Sequence, residues 1–291
     1  MTDGRATDPG YVVERIPPGR RAVLDRLAGA SRRFQVHALV ELDVSRARAG
    51  IRTAPAPVTW TAFVIASVAR AVAAHPELNA RMSGSRVITF DRVDVGATVE
   101  RSGEGRPVLD VVVVRGADRL DCVEITRMLH EAKTGPALKH PQRGLVAQVV
   151  RLPGPLRRTA IRLVARRPAV SATFGPAVGV TSIGMFTHGW GWAIPLAPLT
   201  VVATVGAVVD RPVVVDGVVE ARPMLPLTLS FDHAVVDGAP AARFVETLRD
   251  LVETATVLHE HAPGPSGDPG QMSRKTSIVA PSALRRSARS S

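Results

Sequence analysis

The sequence predicts an α/β domain built on a central sheet. Three observations carry that prediction. Hydrophobic residues are 45% and charged residues 22% of the 291, a globular balance that excludes a wholly disordered or fibrous chain. Short β-branched runs bounded by Gly, Pro and Asp alternate with segments of helical periodicity. From Pro168 to Val209 there is no Asp, Glu, Lys or Arg, as expected of buried strands. The length allows two domains or one larger one. A polar, Pro/Gly-rich start (1–19) and a tail (262–291) flank the segment 20–261, which is long enough for one sizeable core.

The elements follow in order. Residues 20–31 place Val23, Leu24 and Leu27 on one helical face. Residues 34–43 alternate in part and are rich in β-formers, so they read as a strand. Thr59 to His75 is Ala-rich and apolar, a buried helix that Pro76 ends. Strands follow at Arg86–Phe90, Val93–Val99 and Val108–Val114, with a hairpin turn at Ser102–Gly105. Arg119 to Lys133 is an amphipathic helix with Val123, Ile125, Met128 and Leu129 inside. The uncharged run invites a membrane-spanning reading. Pro195, Pro198, frequent glycines and β-branched Val201–Val209 favour sheet strands instead. Val213–Val215, Asp216-Gly217 and Val218–Ala221 form a strand, a tight turn and a return strand. Leu225–Phe231 is a further strand, and Ala239 to about Glu260 a helix with Phe244, Leu248 and Leu251 on one face. The tail after Ala262 is polar, with five basic residues, and is expected to be disordered.

Composition also narrows the function. A single cysteine, Cys122, excludes a disulfide framework and a Cys-rich zinc site. The start has no apolar signal region, which predicts a cytoplasmic protein. The net charge is +11, but only three residues are lysines, and the arginine bias is as readily compositional as phosphate-binding. With 11 aromatic residues there is no stacking platform for single-stranded nucleic acid, and no nucleic-acid partner is expected. Neither G-x-G-x-x-G after a strand nor a Walker A motif is present.

The sharpest local feature is Ser230-Phe231-Asp232-His233-Ala234-Val235-Val236-Asp237-Gly238. A strand delivers Asp232 and His233, and Asp237-Gly238 turns the chain into a helix. A histidine on such a reversal is placed to project into a cleft, and an ordinary imidazole pKa of ~6.5 suits proton abstraction near neutrality. Asp237 is a candidate to fix the turn, orient the imidazole or cap the helix. Standing alone, a His-x3-Asp-Gly motif is more often structural or on the surface. The remaining histidines show no ligand constellation, and no metal is predicted.

In a wider frame the motif gains meaning. Arg222-Pro223-Met224, Leu227 to His233, Val236-Asp237-Gly238-Ala239 and Ala241-Ala242-Arg243-Phe244 resemble the C-terminal signature of the acyltransferase catalytic domain of 2-oxo acid dehydrogenase complexes. Arg20-Arg21 with Arg26-Leu27 resembles that family's first helix, and Pro76 to Ala80 its element after the long helix. Val95-Gly96, Val111–Val114 and Ala117-Asp118-Arg119 resemble its hairpin and next helix, and Thr181-Ser182-Ile183-Gly184-Met185-Phe186 its Ser/Thr-Asn-Leu-Gly-Met-Phe segment. The matches run in order from about residue 18 to 260.

The resemblance implies a chloramphenicol acetyltransferase-like sandwich, a mixed central sheet with flanking helices. It implies a coenzyme A-dependent acyltransferase acting between thiols, coenzyme A being a substrate and dihydrolipoamide or another thiol the partner. His233 takes the general-base position, Thr181 the oxyanion donor position with Ser182 as fallback, and Asp237 a structural role with Arg21 or Arg26 as its expected partner. Ser182, Ser230 and Gly238 are expected beside coenzyme A. A homotrimer or larger homo-oligomer with its sites between subunits is implied, served by a separate lipoylated carrier protein, since no lipoyl domain is read in this chain and no covalent lipoyl group is expected on it. The sequence departs from the family at Ala234, where Arg is usual, and this keeps open a non-catalytic assembly or regulatory subunit. It departs again in a longer basic stretch, 134–168. Within it Leu156, Ala160, Leu163 and Val164 line a helical stripe among five arginines. That helix suits packing on its own domain better than an anionic membrane surface or the phosphates of coenzyme A. His37 suits a satisfied core histidine, and Trp190 and Trp192 either an acyl pocket or a subunit contact.

Overall fold

The computed structural model describes residues 7–8, 11–12, 16, 18–31, 33–102, 107–135 and 175–259, with positions 154, 156, 157, 159 and 163 between. The tail 262–291, the turn 103–106 and most of 1–17 and 136–174 lie outside the described residues. Helix α1 spans Pro18–Ala30, its proline suited to a first helical turn. Strand β1 is Gln35–Asp43, followed by helix α2, Ser45–Thr53. Helix α3, Trp60–Ala74, starts where the Thr59 hydroxyl accepts the Ala62 N–H at 3.2 Å. Its residues Ala62 to Ala69 are all buried. A two-stranded pair, β2 (Ala80–Ser83) and β3 (Arg86–Thr89), precedes the hairpin strands β4 (Val95–Ser102) and β5 (Pro107–Val114). Helix α4, Cys122–Thr134, opens on a capping box in which Asp121 and Glu124 each bond the other's N–H.

The second half supplies β6 (Val178–Ser182), β7 (Val201–Val205), β8 (Val209–Val215), β9 (Val218–Asp232) and helix α5 (Gly238–Thr254). The uncharged run therefore holds β6 and β7, and no helix among the described residues is long and apolar enough to cross a membrane. Strand β9 is the hub of a seven-stranded mixed sheet. It pairs antiparallel with β1 over its second half, with β7 over Leu227–Phe231, and with β8 over Val218–Met224. Strands β7, β6 and β4 then run parallel, and β5 returns antiparallel. The β8–β9 turn has Asp216 and Gly217 at φ 50° and 81°, the double positive φ that an Asp-Gly hairpin supplies.

Period-two alternation divides β9 into two faces. Leu225, Leu227, Leu229 and Phe231 join the core with Phe63, Ile65 and Leu248, and the Phe231 ring meets Phe244 of α5 edge to face at 5.9 Å. Pro226, Thr228, Ser230 and Asp232 occupy the other face. Segment 183–200, which has neither helix nor strand, crosses that face. Trp192 Nε1 donates to the Val40 carbonyl at 3.3 Å and Gln35 Nε2 to the Ala197 carbonyl at 2.9 Å. Leu199 lies so close to Gly179 that a Cβ there would stand 2.5 Å from its Cδ1.

Three readings are revised. Strands 218–221 and 225–231 are one continuous strand, β9. Helix α2 carries no strong apolar stripe and was not expected; only Ala47 of it is buried. The basic stretch reverses the expected polarity at its described positions: Arg157 is buried and pairs with Asp25 of α1 at 2.5 Å, whereas Leu156 and Leu163 are exposed. A buried carboxylate outranks an apolar stripe as a partner for arginine.

Candidate active site

His233 stands one residue past the end of β9, its side chain 46% exposed. The turn beneath it is closely held. The His233 N–H donates to the Phe34 carbonyl at 2.7 Å, and the Asp232 carbonyl accepts from Val235 and Val236 at 2.9 and 3.0 Å. The Asp232 carboxylate, 2% exposed, accepts the Ala234 N–H at 3.2 Å and pairs with Arg33. Arg33 is the cation that a carboxylate buried beside Phe231 requires. Nearby Arg81 donates to the Gly175 carbonyl at 2.9 Å; burial, then the charge of Arg33, lower its guanidinium to about 10.

Asp237 begins α5 but caps nothing, and its side chain is 87% exposed. Its Oδ1 faces His233 Nδ1 at 3.7 Å. The expected arginine partners, Arg21 and Arg26, have side chains outside the described residues. Ser230 is 1% exposed and its hydroxyl lies 2.9 Å from the Nδ1 of half-buried His37, so it links β9 to β1 rather than facing solvent. Gly238 is exposed in the first turn of α5, with nothing within 4 Å of a Cβ placed there.

Thr181 and Ser182 end β6 and point to opposite faces. Thr181 pairs with Thr204 of β7, which pairs with Thr228 of β9. Thr204 and Thr228 are buried, and their hydroxyls have no hydrogen-bond partner among the described residues. Ser182 lines a cleft of 1060 Å³ instead, with Thr59, Trp60, Val99, Val205, Leu225 and one face of α4. Beside it Gly184 is packed so closely on the Gly206 carbonyl that a Cβ would stand 2.2 Å from the oxygen. Trp190 and Trp192 are absent from this wall; they meet each other at 5.5 Å, and Arg211 stacks on Trp190 at 4.5 Å.

The registers set the distance between the two halves of the candidate site. His233 lies five residues beyond Thr228, or about 17 Å along the sheet, and Thr181 lies two strands away, or about 10 Å across it. Roughly 20 Å therefore separates them within one protomer. No group of three or more His, Cys, Asp or Glu suited to a metal occurs among the described residues.

Residues 19–137 and 153–260 match the family model of the 2-oxoacid dehydrogenases acyltransferase catalytic domain. The chain belongs to that acyltransferase family. Among relatives, it is 28% identical over 200 residues to the dihydrolipoyllysine-residue acetyltransferase component of the acetoin cleaving system of Bacillus subtilis, covering 69% of this chain and 42% of that one. It is 27% identical over 253 residues to the lipoamide acyltransferase component of the branched-chain alpha-keto acid dehydrogenase complex of Pseudomonas aeruginosa, covering 82% and 51%. The chain thus spans about half the length of these acyltransferase components. A probable dihydrolipoamide acetyltransferase from Listeria monocytogenes shares the fold at a TM-score of 0.61 and 22% identity, covering 84% of this chain and 96% of that one. So does the cubic core of a pyruvate dehydrogenase multienzyme complex, at 0.61 and 19%, covering 89% and 100%.

The acyltransferase fold explains what the sequence left hidden. The Arg33–Asp232 pair joins residues 199 apart in sequence. Its signal was a carboxylate at the end of an apolar strand with Arg32-Arg33 just ahead of the partner strand. The cleft had no signal, because it is assembled from the ends of elements remote in the chain.

Proposed function

We propose that this chain transfers an acyl group between thiols in a site shared by two copies, with His233 of one copy and Thr181 of the next. Spacing carries the reading. A dihydrolipoamide acetyltransferase of Azotobacter vinelandii, alike in fold at a TM-score of 0.61 and 19% identity, was studied for the role of a serine, a histidine and an asparagine in its catalytic mechanism. Those residues are 52 and four positions apart, as are Thr181, His233 and Asp237 here. The separation of roughly 20 Å within one protomer then calls for a second copy, and the cubic core among the structural relatives supports a homo-oligomer, which we take as a trimer or a multiple of it.

The chemistry follows from the geometry. With Nδ1 turned to the Asp237 carboxylate at 3.7 Å, the other ring nitrogen is the one left to accept a proton. A thiol of coenzyme A or dihydrolipoamide, with a pKa near ~8.5, is mostly protonated at neutral pH, so a base in reach raises its thiolate fraction. The thiolate attacks the thioester carbonyl and a new C–S bond forms. The Thr181 hydroxyl donates to the oxyanion. Collapse breaks the old C–S bond, and the departing thiolate takes the proton back from the imidazolium. Coenzyme A is a substrate in this scheme, and a separate lipoylated carrier is one source of the second thiol. The turn is fixed through the Ala234 backbone, whose N–H donates to the Asp232 carboxylate at 3.2 Å, and this bond does not depend on which side chain stands at that position.

The test is thioester exchange between acetyl-coenzyme A and dihydrolipoamide. His233→Ala should abolish it, and Thr181→Ala should lower kcat by about 10²-fold. Ser182→Ala should act mainly on KM. No exchange by the native oligomer under any acyl donor would favour the assembly-subunit reading. Exchange undiminished in His233→Ala would refute the mechanism.

A further inference from the structure

The imidazole of His233 is not itself tied down. No hydrogen bond to the ring is present among the described residues, and the Asp237 carboxylate at 3.7 Å lies beyond hydrogen-bond length. The direction of the ring is therefore set by the backbone from which it projects. Two residues leading into β1 hold that backbone. The Phe34 carbonyl accepts the His233 N–H at 2.7 Å. Arg33 pairs with one oxygen of the Asp232 carboxylate, and the other oxygen accepts the Ala234 N–H at 3.2 Å. Residues 33 and 34 thus grip the positions before, at and after the histidine, although 199 positions of sequence separate Arg33 from Asp232. Nothing else supplies the charge. Arg33 is the one ion-pair partner of Asp232 among the described residues. Arg81 is near, but its guanidinium is turned to the Gly175 and Pro176 carbonyls. The Asp232 side chain is 2% exposed, so water does not replace the arginine.

We propose that Arg33 is a positioning residue for His233: its guanidinium, acting through the Asp232 carboxylate and the Ala234 N–H, fixes the direction of the imidazole. A buried carboxylate stripped of its cation has to take up a proton or turn toward water. Either change disturbs the oxygen that holds Ala234, and the reversal carrying the ring moves with it. Geometry matters as well as charge. The guanidinium presents its N–H groups in a rigid planar fork, whereas a lysine ammonium is a point charge on a flexible stem. Arg33 takes no part in moving the proton. Its effect arises because a base displaced by about 1 Å loses about 10²-fold in rate. The inference rests on the acyl-transfer reading for the reaction in which the imidazole acts; the grip on the turn does not.

Two measurements on the full chain test it, at a temperature where circular dichroism shows each variant folded. In thioester exchange, Arg33→Met should lower kcat by about 10- to 10²-fold and leave KM for both thiols within about twofold of the native value. Arg33→Lys should recover part of the lost kcat. Amide hydrogen exchange needs no turnover. In Arg33→Met the protection of the His233 and Ala234 amides should fall at least about tenfold more than that of Gly206, whose N–H donates to the Pro226 carbonyl at 2.9 Å away from the turn. Asp232→Asn, which keeps an acceptor for the Ala234 N–H, should show the same pattern to a smaller degree. If Arg33→Met does not fold, Arg33→Lys and Asp232→Asn carry the same comparison. A native kcat in the folded variants, a loss confined to KM, or an equal fall in protection at Ala234 and Gly206 would overturn the proposal. Absence of exchange by the native chain would count against the acyl-transfer reading alone, with amide protection still deciding whether Arg33 holds the turn.

Discussion

Replacing Arg33 with Met should cost more stability than replacing Asp232 with Asn, although both break the same ion pair. The Asp232 side chain is 2% exposed and that of Arg33 is 23% exposed. Removing the guanidinium strands a charge that water cannot reach, a loss of about 3–5 kcal/mol for a buried pair. The partial exposure of Arg33 puts this case at the lower end, about 3 kcal/mol. Removing the carboxylate charge strands a cation that can turn to solvent, and Asn still accepts the Ala234 N–H, so about 1 kcal/mol is expected. For a domain of this size Arg33→Met then lowers Tm by about 6–12 °C. Urea unfolding at pH 7, with the m-value held constant, measures both. Arg33→Met within about 0.5 kcal/mol of the native chain, or Asp232→Asn the worse of the two, would refute the reasoning.

Two further outcomes are expected. Burial alone would raise the Asp94 carboxyl, but the Arg92 guanidinium at 2.6 and 2.8 Å, the Gly116 N–H at 3.0 Å and Arg115 outweigh it and hold it below the usual carboxylate value of 3.8. A lowered folded-state value contributes stability that is present above pH 3.8 and lost as pH falls through the folded value. Asp94→Asn should therefore be less stable than the native chain at pH 7 and converge with it in acid, as read by thermal melts across pH; a gap that widens in acid would contradict the sign. Burial pushes the Cys122 thiol up to about 11, with the charge of Arg70 only partly opposing it. The native protein should resist Ellman's reagent at pH 8 and react fully in guanidinium; rapid stoichiometric labelling of the native fold would be inconsistent with that burial.

Much of the fold was legible because its signals are local. Thr59 marks a helix start, Pro76 a helix stop and Asp216-Gly217 a hairpin, whereas α4 starts at Cys122 behind its Asp121 cap, three residues later than the expected Arg119. The apolar runs at 178–182 and 201–205 could be read as sheet because β-branched residues and prolines argue against a long helix. Helix α2 escaped notice, since Ser45–Thr53 has three arginines and one buried residue, and its helicity depends on packing near α5. Of the candidate site, the histidine turn was visible as a motif. The ion pair beneath it, the hydroxyl of Ser230 engaged by His37 and the cleft were not, because each joins parts of the chain brought together only by strand pairing.

Strand β9 ties opposite ends of the molecule together, and this limits how the protein can be altered. Inserting one residue between Met224 and Asp232 would exchange the threonine and serine face for the leucine face along the part of the strand it displaces, and would carry the imidazole to the wrong side of the sheet. An insertion at Asp216-Gly217 lengthens only an exposed tip and leaves every pairing below it in place. Peptide tags and reporter loops therefore belong at that tip, where the scaffold can absorb added length without losing its registration.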